Sequence, residues 1–210
     1  AVPASEITVP VRAVVRGSGE GEFAVFAIEG GRLRRQAVQL GATRGNEVVV
    51  TAGLFGTQEE LEADPARTER LLHVNFVATV MFCEAARKLL LSQGGGTLCV
   101  FGSVAGDRAR KPVVLYGASK AGLAAYLNGL DHRYYSSGLR VICVRPGFVK
   151  TGMTAGLRPP PFAGEPEQVA REVRAALLCP RPVVYTPIVW ELVMTAISML
   201  PRAVMRRINF

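Results

Sequence analysis

Thr97-Leu-Cys-Val-Phe101, then Val113-Val-Leu-Tyr116-Gly-Ala-Ser-Lys120-Ala-Gly-Leu123, then Arg140-Val-Ile-Cys-Val144-Arg-Pro-Gly147 is the stretch that decides the fold. Its first and last segments are short apolar runs, the composition of strands buried on both faces of a parallel sheet. Between them a segment from about Val113 to Ser136 has the length of a crossover helix, and Pro146-Gly147 closes the second strand. The same alternation extends outward. Glu47 to Thr51 reads as another apolar strand. Asp64-Pro65 caps and starts a helix toward Leu91, which Gly94 to Gly96 ends. Downstream, a flexible Pro-rich loop spans Thr151 to Gly164, Pro166 opens a further helix, and Pro182 to Tyr185 precedes an apolar C-terminal helix. Strand, helix, strand, helix, strand specifies an α/β class with a parallel sheet. No internal repeat is visible.

Composition changes near residue 50. Upstream, β-rich runs (Ile7 to Val15, Phe23 to Glu29, Arg32 to Leu40) alternate with Gly-rich turns at Gly17 to Gly21 and Gly30-Gly31, as in antiparallel hairpins. The expected division is a β-rich segment over 1–47 and an α/β portion over 48–210. With 210 residues, 49% of them hydrophobic, the chain can build a sizeable core. The formal charge of +8 is spread along the chain, apart from Arg32, Arg34 and Arg35 and the trio Arg202, Arg206 and Arg207, so nucleic acid is not an expected partner. Cys83, Cys99, Cys143 and Cys179 form no CxxC pair and read as buried thiols in a reducing compartment, with no metal site. No positive-then-apolar leader is visible. Val183 to Leu200 is apolar but is interrupted by Pro187, Trp190 and Glu191, so a docked or surface-lying helix is expected, not a membrane span.

Tyr116 and Lys120 stand four residues apart and would share one helix face, with Cβ atoms about 5–6 Å apart. A phenol titrates near pH 10, and proton transfer at neutral pH is best served about 2–3 units lower. An ammonium at about 4 Å, at an effective dielectric of about 20, contributes about 4 kcal/mol, or about 3 units, so Lys120 could supply the shift. The spacing is weak by itself and gains weight from context. Ser103 follows a strand, where its hydroxyl would face the mouth of a site at the carboxyl ends of the sheet; Pro146-Gly147 leaves the next strand at the same edge, and Asn75 lies within the preceding helix. His73 and His132 fall outside this constellation and read as structural or exposed.

Asn75, Phe101-Gly-Ser103-Val-Ala-Gly106, Tyr116-Gly-Ala-Ser-Lys120 and Arg145-Pro-Gly-Phe-Val-Lys-Thr151 resemble, in order and spacing, the short-chain dehydrogenase/reductase family over about Val48 to Phe210. The resemblance implies that Tyr116 protonates a carbonyl oxygen as hydride arrives from a nicotinamide and that Ser103 polarises that oxygen. It implies that Lys120 lowers the Tyr116 pKa and holds the nicotinamide ribose, and that Asn75 holds a relay water. Thr51-Ala52-Gly53 looks like the family's Asn-Ala-Gly turn with Thr in place of Asn. Ala52, Gly53, Tyr116, Lys120, Pro146, Gly147, Val149 and Thr151 would then bind NAD or NADP, and a homo-oligomer would form through the helices bearing Asn75 and Tyr116. Gly53-Leu-Phe-Gly56, Ala105-Gly-Asp-Arg-Ala-Arg110 and Leu200-Pro-Arg-Ala-Val-Met-Arg-Arg-Ile-Asn-Phe210 resemble the decaprenylphosphoryl-2-keto-ribose reductases. That implies a lipid-linked ketone substrate, a cytoplasmic location at the inner face of a membrane, and peripheral membrane contact through the C-terminal helix. Residues 1–53 are similar instead to the β-barrel region of periplasmic efflux-pump adaptor subunits.

A full dinucleotide-binding half needs about 75–90 residues in three strand–helix units, and fewer than fifty precede Glu47. The expected fold is therefore a Rossmann-like parallel sheet lacking its usual first βαβ units, with a β-rich N-terminal segment. A phosphate-binding turn needs glycines between a strand and a helix. Gly17-Ser18-Gly19-Glu20-Gly21 has another spacing and leads into a strand-like run, as in a hairpin turn, so the glycine fingerprint is absent from this reading. Three hypotheses stand: a ketone-reducing NAD(P)-dependent oxidoreductase, a truncated or chimeric reductase-derived chain without competent dinucleotide binding, and a chain completed by another.

Overall fold

The computed structural model of the protein describes residues 47–154 and 156–208, together with three strands nearer the N-terminus. Those are β1 (Val14–Arg16), β2 (Phe23–Glu29) and β3 (Arg32–Val38). They pair antiparallel in the order β1-β2-β3, with Phe23 opposite Val38 and Val14 opposite Val25. The hairpin reading of Phe23 to Glu29 is reproduced, and the run begun at Arg32 ends at Val38. The glycines from Gly17 to Gly21, and the run from Ile7 to Ala13, lie outside the described residues.

From Glu47 onward the chain builds a parallel sheet of β4 (Glu47–Val50), β5 (Gly96–Phe101), β6 (Leu139–Pro146) and β7 (Val183–Thr186), hydrogen-bonded in chain order. Helices α1 (Gln58–Ala63), α2 (Pro65–Leu72) and α3 (Thr79–Ser92) follow β4, and α4 (Val114–Tyr134) follows β5. After β6 come α5 (Pro166–Leu178) and, beyond β7, α6 (Val189–Met199) and α7 (Arg202–Met205). The architecture is α/β and Rossmann-like.

The apolar runs become central strands because both of their faces are covered. Val48, Val50, Leu98, Val100, Val141 and Cys143 pack with Cys83, Leu90, Leu123 and Leu127 of α3 and α4. The alternate positions Cys99, Ile142 and Val144 meet Val169, Val173 and Ala176 of α5. The period of two in the strands and the i, i+4, i+7 spacing on α5 therefore sort the side chains between two layers. Each such leucine, fully buried, stabilises the fold by roughly 1.5–3 kcal/mol.

Local signals explain the helix boundaries. The carboxylate of Asp64 accepts hydrogen bonds from the main-chain amides of Ala66 (3.0 Å) and Arg67 (3.1 Å), and Pro65 occupies the first helical position. α1 was not anticipated, although Thr57 and Glu60 form a reciprocal capping box. Between α2 and α3 the helix continues without a break, but His73–Ala78 is wound as a π turn. Such a turn inserts a residue into an α-helix and re-aims the side chains beside it. Asn75 sits in this turn and is completely buried. Cys83, Cys99 and Cys143 are buried as expected, whereas Cys179 is exposed at the end of α5. His73 and His132 are exposed. Among the described residues no helix is long and apolar enough to cross a membrane.

Candidate active site

The carboxyl ends of β4, β5 and β6 open onto one cavity of about 1050 Å³. Three loops enclose it, one after each strand. The first carries Ala52, Gly53, Leu54 and Phe55; the second carries Ser103, Val104 and Arg110; the third carries Gly147, Phe148, Val149, Thr151 and Met153. Tyr116 and Lys120 of α4 and Trp190 of α6 also line the cavity.

Ser103 caps a single 3-10 turn (Val104–Gly106), its Oγ accepting from the Ala105 amide at 3.1 Å. That turn lies directly on α4. A Cβ at Gly106 would stand 2.8 Å from the Lys120 carbonyl carbon, and one at Gly117 would stand 2.8 Å from the Ala105 carbonyl oxygen. The two glycines thus let the Ser103 loop reach the Tyr116 helix at backbone contact. The Tyr116 ring meets Phe55 edge to face, with centroids 5.1 Å apart. Lys120 is only 3% exposed, and its Nζ donates to the Phe101 carbonyl at 3.1 Å while lying 6.0 Å from the centroid of the Tyr116 ring.

Asn75 does not line the cavity; it holds the wall from behind. Its Nδ2 donates to the Leu54 carbonyl (2.9 Å) and to Ser119 Oγ (3.3 Å), while its Oδ1 accepts from the Leu54 amide (2.7 Å). Ser119 in turn donates to the Tyr116 carbonyl at 2.7 Å. One buried amide therefore clasps the loop after β4 to the first turns of α4. Satisfying a buried polar pair of this kind fixes geometry, because leaving any member unpaired costs about 1–3 kcal/mol.

Burial raises the Tyr116 pKa, and the groups that oppose this are the Ser103 hydroxyl, through a hydrogen bond, and the Arg110 charge. Lys120 is itself pushed down to about 8 by burial. Behind them, Arg145 Nη1 donates to Asp107 Oδ1 at 2.8 Å and to the Tyr185 hydroxyl at 3.0 Å. Burial raises the Asp107 pKa against the pull of Arg145.

Burying Lys120 has a pH-dependent cost. Below about pH 8 folded and unfolded chains both hold the lysine proton and the whole penalty is present. Between about pH 8 and 10.5 only the unfolded chain holds it, so wild-type stability gains with rising pH, and above 10.5 no penalty remains. Lys120→Met should accordingly stabilise the chain by about 2 kcal/mol at pH 7, once a lost hydrogen bond is allowed for. Urea unfolding measured from pH 7 to 10.5 should show that gain shrinking; a gain independent of pH would disprove the buried-charge account.

All the residues singled out from sequence, except Asn75, line one cavity: Ala52, Gly53, Ser103, Tyr116, Lys120, Pro146, Gly147, Val149 and Thr151. Arg110, Phe55 and Trp190 were not singled out. Arg110 had a visible signal, a cation in the loop leading into α4. Trp190 had none, because it reaches Gly147 only through the pairing of β6 with β7. Among the described residues no group of three or more His, Cys, Asp or Glu could hold a metal.

A family model described as short chain dehydrogenase matches residues 37–161. The chain is 36% identical over 159 residues to an uncharacterized oxidoreductase of Mycobacterium tuberculosis, covering 76% of this chain and 64% of that one. It is 38% identical over 165 residues to an uncharacterized oxidoreductase of Streptomyces coelicolor, covering 77% and 64%. The chain thus spans 64% of the length of these curated relatives. A short chain dehydrogenase of Burkholderia cenocepacia, solved in complex with NADP, superposes with a TM-score of 0.68 at 26% identity, covering 77% of this chain and 69% of that one.

Proposed function

The chain belongs to the short-chain dehydrogenase family, and from its site we infer that it is an oxidoreductase that reduces a ketone to an alcohol with a nicotinamide dinucleotide. The observation that carries this reading is the meeting of Ser103, Tyr116 and Lys120 on one cavity at the carboxyl ends of parallel strands.

The residues present fit the nicotinamide end of such a cofactor. Gly53 offers no side chain, and a Cβ there would lie 3.4 Å from Lys120 Nζ, so the backbone leaves room beside the ammonium for a ribose hydroxyl. Ala52, Pro146, Gly147, Val149 and Thr151 form the rest of that wall. When bound, the nicotinamide supplies the hydride. Tyr116 donates its proton to the carbonyl oxygen; a phenol whose pKa is raised by burial is fully protonated at neutral pH, as a donor must be. Ser103 donates a hydrogen bond to the same oxygen, and Lys120 holds the ribose. Asn75, its amide engaged by Leu54 and Ser119, acts by positioning Tyr116 and not through a side-chain contact with a relay water.

The substrate we propose is a ketone on a largely apolar body, because Leu54, Phe55, Val104, Phe148, Met153 and Leu157 line the cavity that holds the proton donor. Lipid-linked ketosugars are the first to screen. Ile188, just before α6, and Leu192 and Met199 on it are exposed, ahead of Arg202, Arg206 and Arg207, a surface suited to contact with the inner face of a membrane. Exposed Phe76, Val77, Met81 and Leu89 suit a homo-oligomer through the α2–α3 helix. Absence of sedimentation with anionic vesicles would remove the first proposal, and a monomer mass by light scattering the second.

A second reading, an inactive reductase-derived chain that cannot hold adenine and pyrophosphate, is favoured by the antiparallel strands β1 to β3 standing ahead of β4. Titration of the purified chain with NADH and NADPH by calorimetry and nicotinamide fluorescence separates the two. The oxidoreductase reading expects micromolar binding of one or both nucleotides, weakened by Lys120→Ala. No binding up to millimolar nucleotide would leave only the inactive chain.

A further inference from the structure

We propose that Phe55 is a specificity-determining residue of the site: its ring closes the space beside the proton donor, so that the ketone accepted there carries one short arm. The proposal deepens the oxidoreductase reading and rests on Tyr116 as its proton donor. Phe55 meets the Tyr116 ring edge to face, with centroids 5.1 Å apart and the planes inclined at 72°. A ketone brought to the phenol must therefore fit around a second ring that already touches the donor.

Phe55 also stands between two cavities. The catalytic cavity, of about 1050 Å³, has a neighbour of about 540 Å³ against α2, lined by Arg67, Arg70 and the buried Leu71. Among the described residues only Leu54 and Phe55 line both. The ring cannot swing aside cheaply, because its neighbours in the chain are pinned. The Leu54 amide donates to Asn75 Oδ1 at 2.7 Å, and the Leu54 carbonyl accepts from Asn75 Nδ2 at 2.9 Å. Gly56 is buried, and a Cβ there would stand 3.0 Å from Cγ and from Cδ2 of Leu61. Thr57 then caps α1. With the backbone held on both sides, the ring is left with its own side-chain rotations alone.

The size of the side chain at position 55 thus sets how long an arm can pass from the donor toward the second cavity. An apolar wall discriminates by roughly 10–200-fold for each methylene it cannot house. Cutting the ring back to a methyl group joins the two cavities and removes that discrimination.

The test uses two neutral ketones of equal carbon count: 2-nonanone, with one methyl arm, and 5-nonanone, with two butyl arms. Wild type should favour 2-nonanone by about tenfold or more in kcat/KM, Phe55→Ala should bring the two within about threefold, and Phe55→Tyr should keep the wild-type preference. Binding is read separately and without cofactor, from the emission of the single tryptophan, Trp190, which lines the catalytic cavity. The affinities should follow the same pattern. Ketones that bind with this preference and are not reduced by NADH or NADPH would fail the oxidoreductase reading while leaving the selection by Phe55 in place. Phe55→Leu serves if the alanine variant fails to fold, as judged by circular dichroism. A preference for 2-nonanone that is equal in wild type and in the folded Ala or Leu variant overturns the proposal. So does 5-nonanone binding the folded variant no more tightly than it binds wild type.

Discussion

Tyr116→Phe should lower turnover of any ketone the chain reduces by about 10²–10⁴-fold, the range that a positioned proton donor contributes, while nucleotide affinity changes by less than about threefold. The argument for so selective an effect is geometric. The edge-to-face contact with Phe55 belongs to the ring, which phenylalanine keeps. Ser103 loses one partner but still accepts from the Ala105 amide, and Asn75 and Ser119 hold the backbone of this turn without using the phenol. Steady-state rates beside calorimetric nucleotide binding check it. A variant within tenfold of wild type would show that the proton comes from elsewhere.

Gly147→Ala should destabilise the fold by about 3 kcal/mol or more. A Cβ there would lie 2.1 Å from Nε1 of Trp190 and 2.2 Å from Cε2, far inside contact distance. Neither partner can yield cheaply. Gly147 is tied to the sheet by its amide, which donates to the Thr186 carbonyl at 3.0 Å. Trp190 is 8% exposed, packs with Val104 and Met194, and donates to the Phe162 carbonyl at 3.2 Å. Because the chain holds a single tryptophan, its fluorescence reports this contact directly. Urea unfolding should show an earlier midpoint and a red-shifted native emission, with partial recovery in Gly147→Ala/Trp190→Leu. An unchanged midpoint and spectrum would mean that the contact is looser than described.

What was legible in the sequence follows from the range of the interaction behind each feature. β5 and β6 are continuous apolar runs because two layers cover them, and the Asp64-Pro65 helix start is a contact among near neighbours; both kinds of signal are local. Ser103, Tyr116 and Lys120 were found by spacing and resemblance, and their meeting at one cavity needs only that the strands be parallel. A four-residue spacing gives the separation of Cβ atoms and not the direction of a long side chain: Lys120 stands on the Tyr116 face, and its ammonium donates to the Phe101 carbonyl. Arg110 and Trp190 reach the site through loop and sheet geometry that no periodicity encodes. The partners of Asn75, Leu54 and Ser119, were not legible, because no periodicity announces the π turn that holds it.

That π turn also keeps the two halves of the helix after Asp64 in step. Each residue of an ordinary helix advances the side chains by about 100°, so the same residues wound as a uniform helix would turn its two ends out of phase by about one residue. The wider turn over His73–Ala78 takes up the extra residue. Leu71 on one side and Cys83 and Leu90 on the other are thereby all buried. Excising one residue there would leave both faces in phase while removing the turn that holds Asn75 and its clasp on Leu54. The irregular turn therefore acts as a phase spacer between two buried faces.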